Sequence, residues 1–249
     1  MFCQSEDLMN KEITYKINEI FETLQGEGSF TGQPSIFIRL QGCPVGCSWC
    51  DTKHTWEVSP EKEVEQKNIT SKNQESSCWG TFTVEQLKAL FISEGYQAKH
   101  IVITGGEPCL YDLTPLCLAL EDIGYSCQVE TSGTFEVQVS NKCWVTVSPK
   151  VNMKGGYKVL NSALLRANEI KHPVATEQHI DDLKELITKF KELSIEPCLH
   201  ASEIDKDYFD KLRHAFPNQL LYKLWLVITQ DVNFGKTDRN KIDPVADFK

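Results

Sequence analysis

The sequence predicts an α/β fold built on a parallel sheet or barrel, and three observations predict it. Short runs rich in valine and isoleucine, at 36–40, 100–104, 127–130, 144–147 and 169–170, have the length of buried strands. Stretches of helical period stand between them, and strands that alternate with helices pair in parallel. Four of the five runs lead straight into chemically unusual residues, as expected of a fold whose active site gathers at the carboxyl ends of its strands.

In chain order, the run 36–40 opens into Gly42-Cys43-Pro44-Val45-Gly46-Cys47-Ser48-Trp49-Cys50-Asp51-Thr52. The segment 57–80 is polar, charge-mixed and without a sustained period, so it reads as a surface insertion with a mobile centre. A helix is predicted to start at Thr83, whose hydroxyl can cap while Gln86 completes a capping box, with Leu87, Leu90 and Phe91 on its apolar face. The run 100–104 leads into Gly105-Gly106-Glu107-Pro108, and a helix is expected at 113–123. The run 127–130 leads into Thr131-Ser132-Gly133, and 144–147 into Ser148-Pro149-Lys150. Further helices are predicted at 159–168 and 180–193, the second from Ile180, Leu183, Leu186, Ile187, Phe190 and Leu193. A strand-like run stands at 224–229, and the tail over 230–249 reads as loose. Such a length supports one domain over 1–249 with a core at about 14–229.

A formal charge of −9 argues against a broad nucleic-acid footprint, which needs a basic face, and leaves a small molecule as the expected partner. The first twelve residues carry Glu6, Asp7 and Lys11 and no apolar run. Neither a signal peptide nor a membrane span is therefore expected, and the location is expected to be cytoplasmic. In that reducing compartment, ten cysteines are metal ligands or small buried hydrophobes rather than disulfides. Only Cys43, Cys47 and Cys50 are clustered.

A [4Fe–4S] cube takes four thiolates, so a loop that offers three leaves one iron open to a ligand that takes part in chemistry. Zinc is the alternative, because His54 completes Cys43-x3-Cys47-x2-Cys50-x3-His54, an acceptable tetrahedral set. Structural zinc sites usually draw on two separated ligand pairs, whereas these thiols share one tight loop turned by Pro44 and Gly46. Outside a zinc site His54 is an ordinary polar residue.

The cysteine triplet, followed by Gly105-Gly106-Glu107-Pro108, resembles the radical S-adenosylmethionine superfamily. Within it, Leu24-Gln25-Gly26-Glu27-Gly28, Phe37-Ile38-Arg39-Leu40-Gln41-Gly42-Cys43, Cys50-Asp51-Thr52, Glu130-Thr131-Ser132-Gly133 and Ser148-Pro149-Lys150 stand in the order of the 7-carboxy-7-deazaguanine synthase family, whose enterobacterial branch has a similarly short loop. The resemblance covers about 17–173. It implies a partial (β/α)6 barrel of the radical S-adenosylmethionine type, with the N-terminal segment beside its mouth, the polar insertion and a diverged C-terminus.

The implied reaction converts 6-carboxy-5,6,7,8-tetrahydropterin into 7-carboxy-7-deazaguanine and ammonia, toward the tRNA nucleoside queuosine but without contact to tRNA. The implied cofactors are a [4Fe–4S] cluster on Cys43, Cys47 and Cys50, S-adenosylmethionine, and Mg²⁺ on Thr52. Substrate contacts would come from Leu24, Gln25, Gly26, Glu27, Arg39 and Thr104, and cofactor contacts from Trp49, Cys50, Gly106, Glu107, Ser148, Pro149 and Lys150. No protein acid or base is assigned, since the radical comes from the cofactor. A flavodoxin-type or other low-potential reductant and a homodimer are also implied. A glycyl-radical activating enzyme shares the short loop but leaves Gln25-Gly26-Glu27 and Arg39 unexplained.

Beyond about Lys191 the resemblance ends. Ser194-Ile195-Glu196-Pro197-Cys198 is the counterpart available for a Gln-Pro cofactor strand, and a His-Lys pair is not recognisable. A diverged terminus that still closes the sheet and an altered reading frame both account for this. The second would leave a catalytically impaired homologue.

Overall fold

The computed structural model describes residues 13–173, 177–193 and 198–202. In chain order the elements are β1 (Thr14–Leu24), β2 (Pro34–Leu40), α1 (Gln66–Thr70), β3 (Gly80–Thr83), α2 (Val84–Ser93), β4 (His100–Gly105), α3 (Thr114–Asp122), β5 (Ser126–Thr131), β6 (Trp144–Val147), α4 (Asn161–Arg166), β7 (Glu169–Pro173), α5 (Glu177–Glu192) and β8 (Cys198–Ser202). The strands form one eight-stranded sheet in the order β3-β1-β2-β4-β5-β6-β7-β8. From β2 to β8 every neighbouring pair is parallel. The expected runs at 224–229 and 230–249, and residues 194–197, lie outside the described residues.

Three strands, β1, β3 and β8, were not marked by periodicity. β1 lies antiparallel to both β2 and β3, so the N-terminal segment is paired within the sheet rather than set beside a mouth. The predicted helix at Thr83 is α2, and its capping box is complete: Thr83 Oγ1 accepts from Gln86 N–H while the Gln86 side chain accepts from Thr83 N–H. The segment 57–80 is also anchored. It contains α1, it buries Ile69 and Trp79, and Lys72 Nζ donates to Asn18 Oδ1 (2.8 Å) and to the carbonyls of Asn18, Ser76 and Cys78.

Strand register separates the two faces of the sheet, because side chains alternate along each strand. Ile20 pairs with Ile38, Ile38 with Ile103, Ile103 with Val129, Val129 with Val145, and Val147 with Ile170. This apolar row is fully buried or nearly so, under Leu87 and Phe91 of α2 and Leu116 and Leu120 of α3 in one cluster, and Leu164 of α4 and Ile180, Leu183, Leu186 and Phe190 of α5 in the other. Each such side chain contributes about 1.5–3 kcal/mol on burial. The opposite row is polar. Glu19 pairs with Arg39, Arg39 with Thr104, Glu130 with Thr146 and Thr146 with Glu169, and the β4–β5 register brings Thr104 beside Glu130.

The loop between β1 and β2 folds across this polar face. Phe30 packs against His100 at 4.3 Å and Trp144 at 5.1 Å between ring centroids. Ser29 N–H donates to Glu169 Oε1 at 3.1 Å. A side chain at Gly28 would put its Cβ 2.9 Å from Glu169 Cδ, at a φ of +73°, so the crossing requires glycine there.

His100 is buried between Ser126 Oγ and Gln128 Oε1, both at 2.9 Å. Burial lowers its pKa, more than the Gln128 hydrogen bond raises it. The unfolded chain then binds a proton below about pH 6.5 that the folded chain refuses, so stability is lost as the pH falls. Melting temperatures should be level from pH 8 to about 6.5 and decline below it. His100→Gln should flatten part of that decline, and an unchanged pH profile would contradict the assignment.

Candidate active site

The carboxyl ends of the parallel strands and the β1–β2 loop enclose a cavity of about 400 Å³, within the range of small-molecule sites. Its lining brings together Gln25, Gly26, Glu27, Arg39, Cys43, Cys47, Trp49, Cys50, Thr52, Thr104, Gly106, Glu107, Ser148 and Lys150 from the sequence-predicted set. Leu24 lies outside it, 44% exposed, and Pro149 is buried between two lining residues.

The cysteine loop is closed at its base like a hairpin. Gly42 N–H donates to Thr55 O at 2.7 Å and Cys43 N–H to Trp56 O at 3.0 Å. Its tip is held by Gly155 N–H donating to Val45 O at 2.9 Å. Burial pushes the Cys43 thiol up to about 11, and burial also raises Cys47, so a metal that binds there must displace protons. Trp56 Nε1–H points at Cys50 Sγ at 3.4 Å, and Thr52 Oγ1 lies 3.6 Å from the same sulfur. Such a donor next to a ligating sulfur orients it and tunes the metal.

Among the described residues no three His, Cys, Asp or Glu side chains close on a single ion. His54 does not line the cavity, and its Nε2 is buried without a hydrogen-bond partner among the described residues. The fourth corner of the zinc alternative is therefore missing. Cluster thiolates stand on different metal atoms and do not need to converge on one point.

Gly105-Gly106-Glu107 runs alongside the base of the cysteine loop. Gly106 N–H donates to Leu40 O at 2.9 Å and Glu107 N–H to Gly42 O at 2.8 Å. The Glu107 carboxylate is buried and saturated: it accepts from Cys109 N–H (3.0 Å), Thr131 Oγ1 (2.5 Å), Ser132 N–H (2.9 Å) and Ser132 Oγ. It therefore ties the end of β4 to the end of β5. The end of β6 is tied on in turn, with Ser148 N–H donating to Thr131 O at 2.8 Å and Lys150 Nζ to Ser148 Oγ at 2.8 Å.

The two ends of the cavity differ in charge. At one, Arg39 Nε donates to the buried Glu19 carboxylate at 2.6 Å, an ion pair that leaves the terminal guanidinium nitrogens for another anion. At the other, Lys171 bridges Glu130 Oε1 at 3.0 Å and Glu27 Oε2 at 3.1 Å. Gln25 links the same pair, with its Nε2 donating to Glu130 Oε1 at 3.0 Å and its Oε1 accepting from Glu27 N–H at 3.2 Å. Burial would lower the Lys171 ammonium, but Glu130 and Glu27 together outweigh it and hold its pKa above the ordinary lysine value. Neither Lys171, Glu19 nor Trp56 was found by sequence reasoning; Glu130 was noted only within a motif.

The chain is similar to several known proteins over about two thirds or more of its length. The chain is 61% identical over 173 residues to the 7-carboxy-7-deazaguanine synthase of Escherichia coli K12, covering 70% of this chain and 78% of that protein. It is 47% identical over 177 residues to the enzyme of that name from Buchnera aphidicola, covering 71% and 79%. Aquifex aeolicus has one 37% identical over 173 residues, at 68% of each chain. The crystal structure of QueE from Escherichia coli matches with a TM-score of 0.77 at 50% identity, over 85% of this chain and 92% of that one. No family model matches the chain.

Proposed function

Because this chain belongs to the 7-carboxy-7-deazaguanine synthase family, we propose that it contracts the ring of 6-carboxy-5,6,7,8-tetrahydropterin to 7-carboxy-7-deazaguanine with release of ammonia. It is a lyase that supplies a precursor of queuosine. The observation that carries this reading is the convergence in one cavity of three thiols on one loop with a guanidinium at one end and a carboxylate–amide cluster at the other.

The donor set fits the cofactors. Cys43, Cys47 and Cys50 are soft ligands on a single loop facing the cavity and would hold a [4Fe–4S] cluster. Gly106, Ser148, Pro149 and Lys150 would receive S-adenosylmethionine, with Trp49, Cys50 and Glu107 beside it. Thr52 presents a hard oxygen suited to Mg²⁺, an ion that keeps most of its waters. When bound, the cluster and S-adenosylmethionine supply one-electron hydrogen abstraction from the substrate.

The chain's own residues bind and orient. Arg39 takes the substrate carboxylate through its terminal nitrogens while Glu19 holds Nε. Thr104 sits next to it in the same row. Gln25, Gly26 and Glu27, with the backbone at Leu24, receive the N–H edge of the pterin. Phe37, Val45, Trp49 and Trp56 wall the cavity and exclude water.

The six parallel strands β2 to β8 of this sheet are read as the partial (β/α)6 barrel of the radical S-adenosylmethionine type, in one domain over 1–249. No helix among the described residues is long and apolar enough to cross a membrane, and a cytoplasmic homodimer served by a flavodoxin-type or other low-potential reductant completes the proposal. The test is an anaerobic assay of reconstituted protein with dithionite, S-adenosylmethionine, Mg²⁺ and 6-carboxytetrahydropterin, read by mass spectrometry. The expected product is 7-carboxy-7-deazaguanine. Only slow 5′-deoxyadenosine would mean intact radical machinery with a wrong substrate or an incomplete pocket, as in a catalytically impaired homologue with an altered C-terminus, and the absence of both compounds from cluster-loaded protein would overturn the reading.

A further inference from the structure

We propose that Lys171 is a positioning residue for substrate recognition: its ammonium clamps Glu27 and Glu130 into one acceptor platform for the N–H edge of a bicyclic aminopyrimidinone. The inference rests on the functional reading above and assigns a role to a residue outside its motifs. Lys171 follows Glu169 by two positions on β7, so it projects from the same polar face, and its side chain is 8% exposed. It holds one oxygen of each carboxylate, Glu130 Oε1 and Glu27 Oε2. Glu130 Oε2 and Glu27 Oε1 have no donor among the described residues, although both glutamates line the cavity.

Two carboxylates held this close to one ammonium repel each other, and without that cation between them they would turn apart. A carboxylate turned away no longer presents its acceptor oxygen to a ring N–H. Lys171 prevents this, and Gln25 fixes the relative orientation of the pair. The opposite pole is Arg39. It stands two strands from Glu130 in the same row, a separation of about 10 Å at the ordinary strand spacing. A fused bicyclic ring with a carboxylate at one end and amino and amide N–H groups at the other spans such a gap in one orientation only.

The test compares Lys171→Met and Lys171→Arg with the unaltered protein, all loaded with cluster. Pterin affinity, kcat, KM, iron content, melting temperature and 5′-deoxyadenosine formed without pterin are measured. Lys171→Met should weaken pterin binding and raise KM roughly 10- to 100-fold, the range for losing a charge-assisted clamp. Its iron content and pterin-independent 5′-deoxyadenosine should stay within about twofold, and Lys171→Arg should recover most of the affinity. If Lys171→Met melts too low to assay, the Lys171→Met, Glu130→Gln pair removes the unpaired charge; it should fold and still bind pterin weakly. Pterin affinity within about threefold of the unaltered protein in folded Lys171→Met, or in the Lys171→Met, Glu130→Gln pair, would overturn the proposal. So would equal loss of pterin-independent 5′-deoxyadenosine, which would place Lys171 in cofactor binding. Unaltered protein that binds no pterin would overturn the functional reading itself and this inference with it.

Discussion

Gly106→Ala is expected to abolish product formation by displacing the cysteine loop, with the chemistry of every side chain left in place. A Cβ at Gly106 would stand 2.6 Å from the Gly42 carbonyl carbon and 3.1 Å from Gly42 N, and closer still to the carbonyl oxygen. All three are backbone atoms that cannot rotate away. The same two segments are joined by Gly106 N–H to Leu40 O and Glu107 N–H to Gly42 O, so relief of the clash breaks both hydrogen bonds. Gly42 immediately precedes Cys43, and the displacement passes directly to the first ligand. Overpacking costs about 1–3 kcal/mol where side chains can yield, and this site has none to yield. Iron and sulfide after anaerobic reconstitution should fall at least about tenfold, with melting lowered by roughly 5–10 °C. Full iron content with unchanged melting would show that the loop does not depend on this contact.

Sequence periodicity located β2, β4, β5 and β6 because their outward rows carry valine, isoleucine, leucine and cysteine, as strands under helices must, and β7 through Ile170 alone. The same logic passed over β1. Lys16, Asn18 and Glu19 break its apolar run, and the register shifts between Ile17 and Glu19, so no period-2 pattern survives. β3 is only four residues long and carries no pattern of its own. Insertion 57–80 looked featureless because Ile69 and Trp79 anchor it from eleven and one positions before its end, a spacing that fits no element period.

The site was legible wherever a residue type is rare at its position. Three cysteines in one loop and paired glycines after a strand announce themselves. Lys171 does not, since a lysine near a strand end is ordinary until the fold brings Glu27, 144 residues away, to its ammonium. Glu19 was hidden for a related reason: it lies on a strand the pattern missed, and its role exists only through Arg39. His54 shows the opposite failure. Its spacing completed a ligand set, but backbone hydrogen bonds from Gly42 and Cys43 to Thr55 and Trp56 draw that stretch into the base of the loop.

Glu107→Ala should be the most destabilising single change at the site. The carboxylate accepts four hydrogen bonds, and two of the donors, Cys109 N–H and Ser132 N–H, are buried backbone groups that cannot reorient. Removing the acceptor leaves each without a partner at about 1–3 kcal/mol, and the vacated volume adds a cavity term. A total of about 3–5 kcal/mol follows, or a melting temperature lower by roughly 10 °C in a chain of this size. Glu107→Gln retains one acceptor oxygen and replaces the other with an NH₂ facing a donor, so it should recover only part of the loss. The consequence for function is geometric. Glu107 joins the ends of β4 and β5, and the end of β6 hangs on Thr131, so its loss loosens Gly106 and Ser148 together. S-adenosylmethionine binding, measured by anaerobic calorimetry on cluster-loaded protein at a temperature where the variant is folded, should weaken with pterin binding less affected. A variant that melts normally would mean that water substitutes for the carboxylate and that the three strand ends hold one another without it.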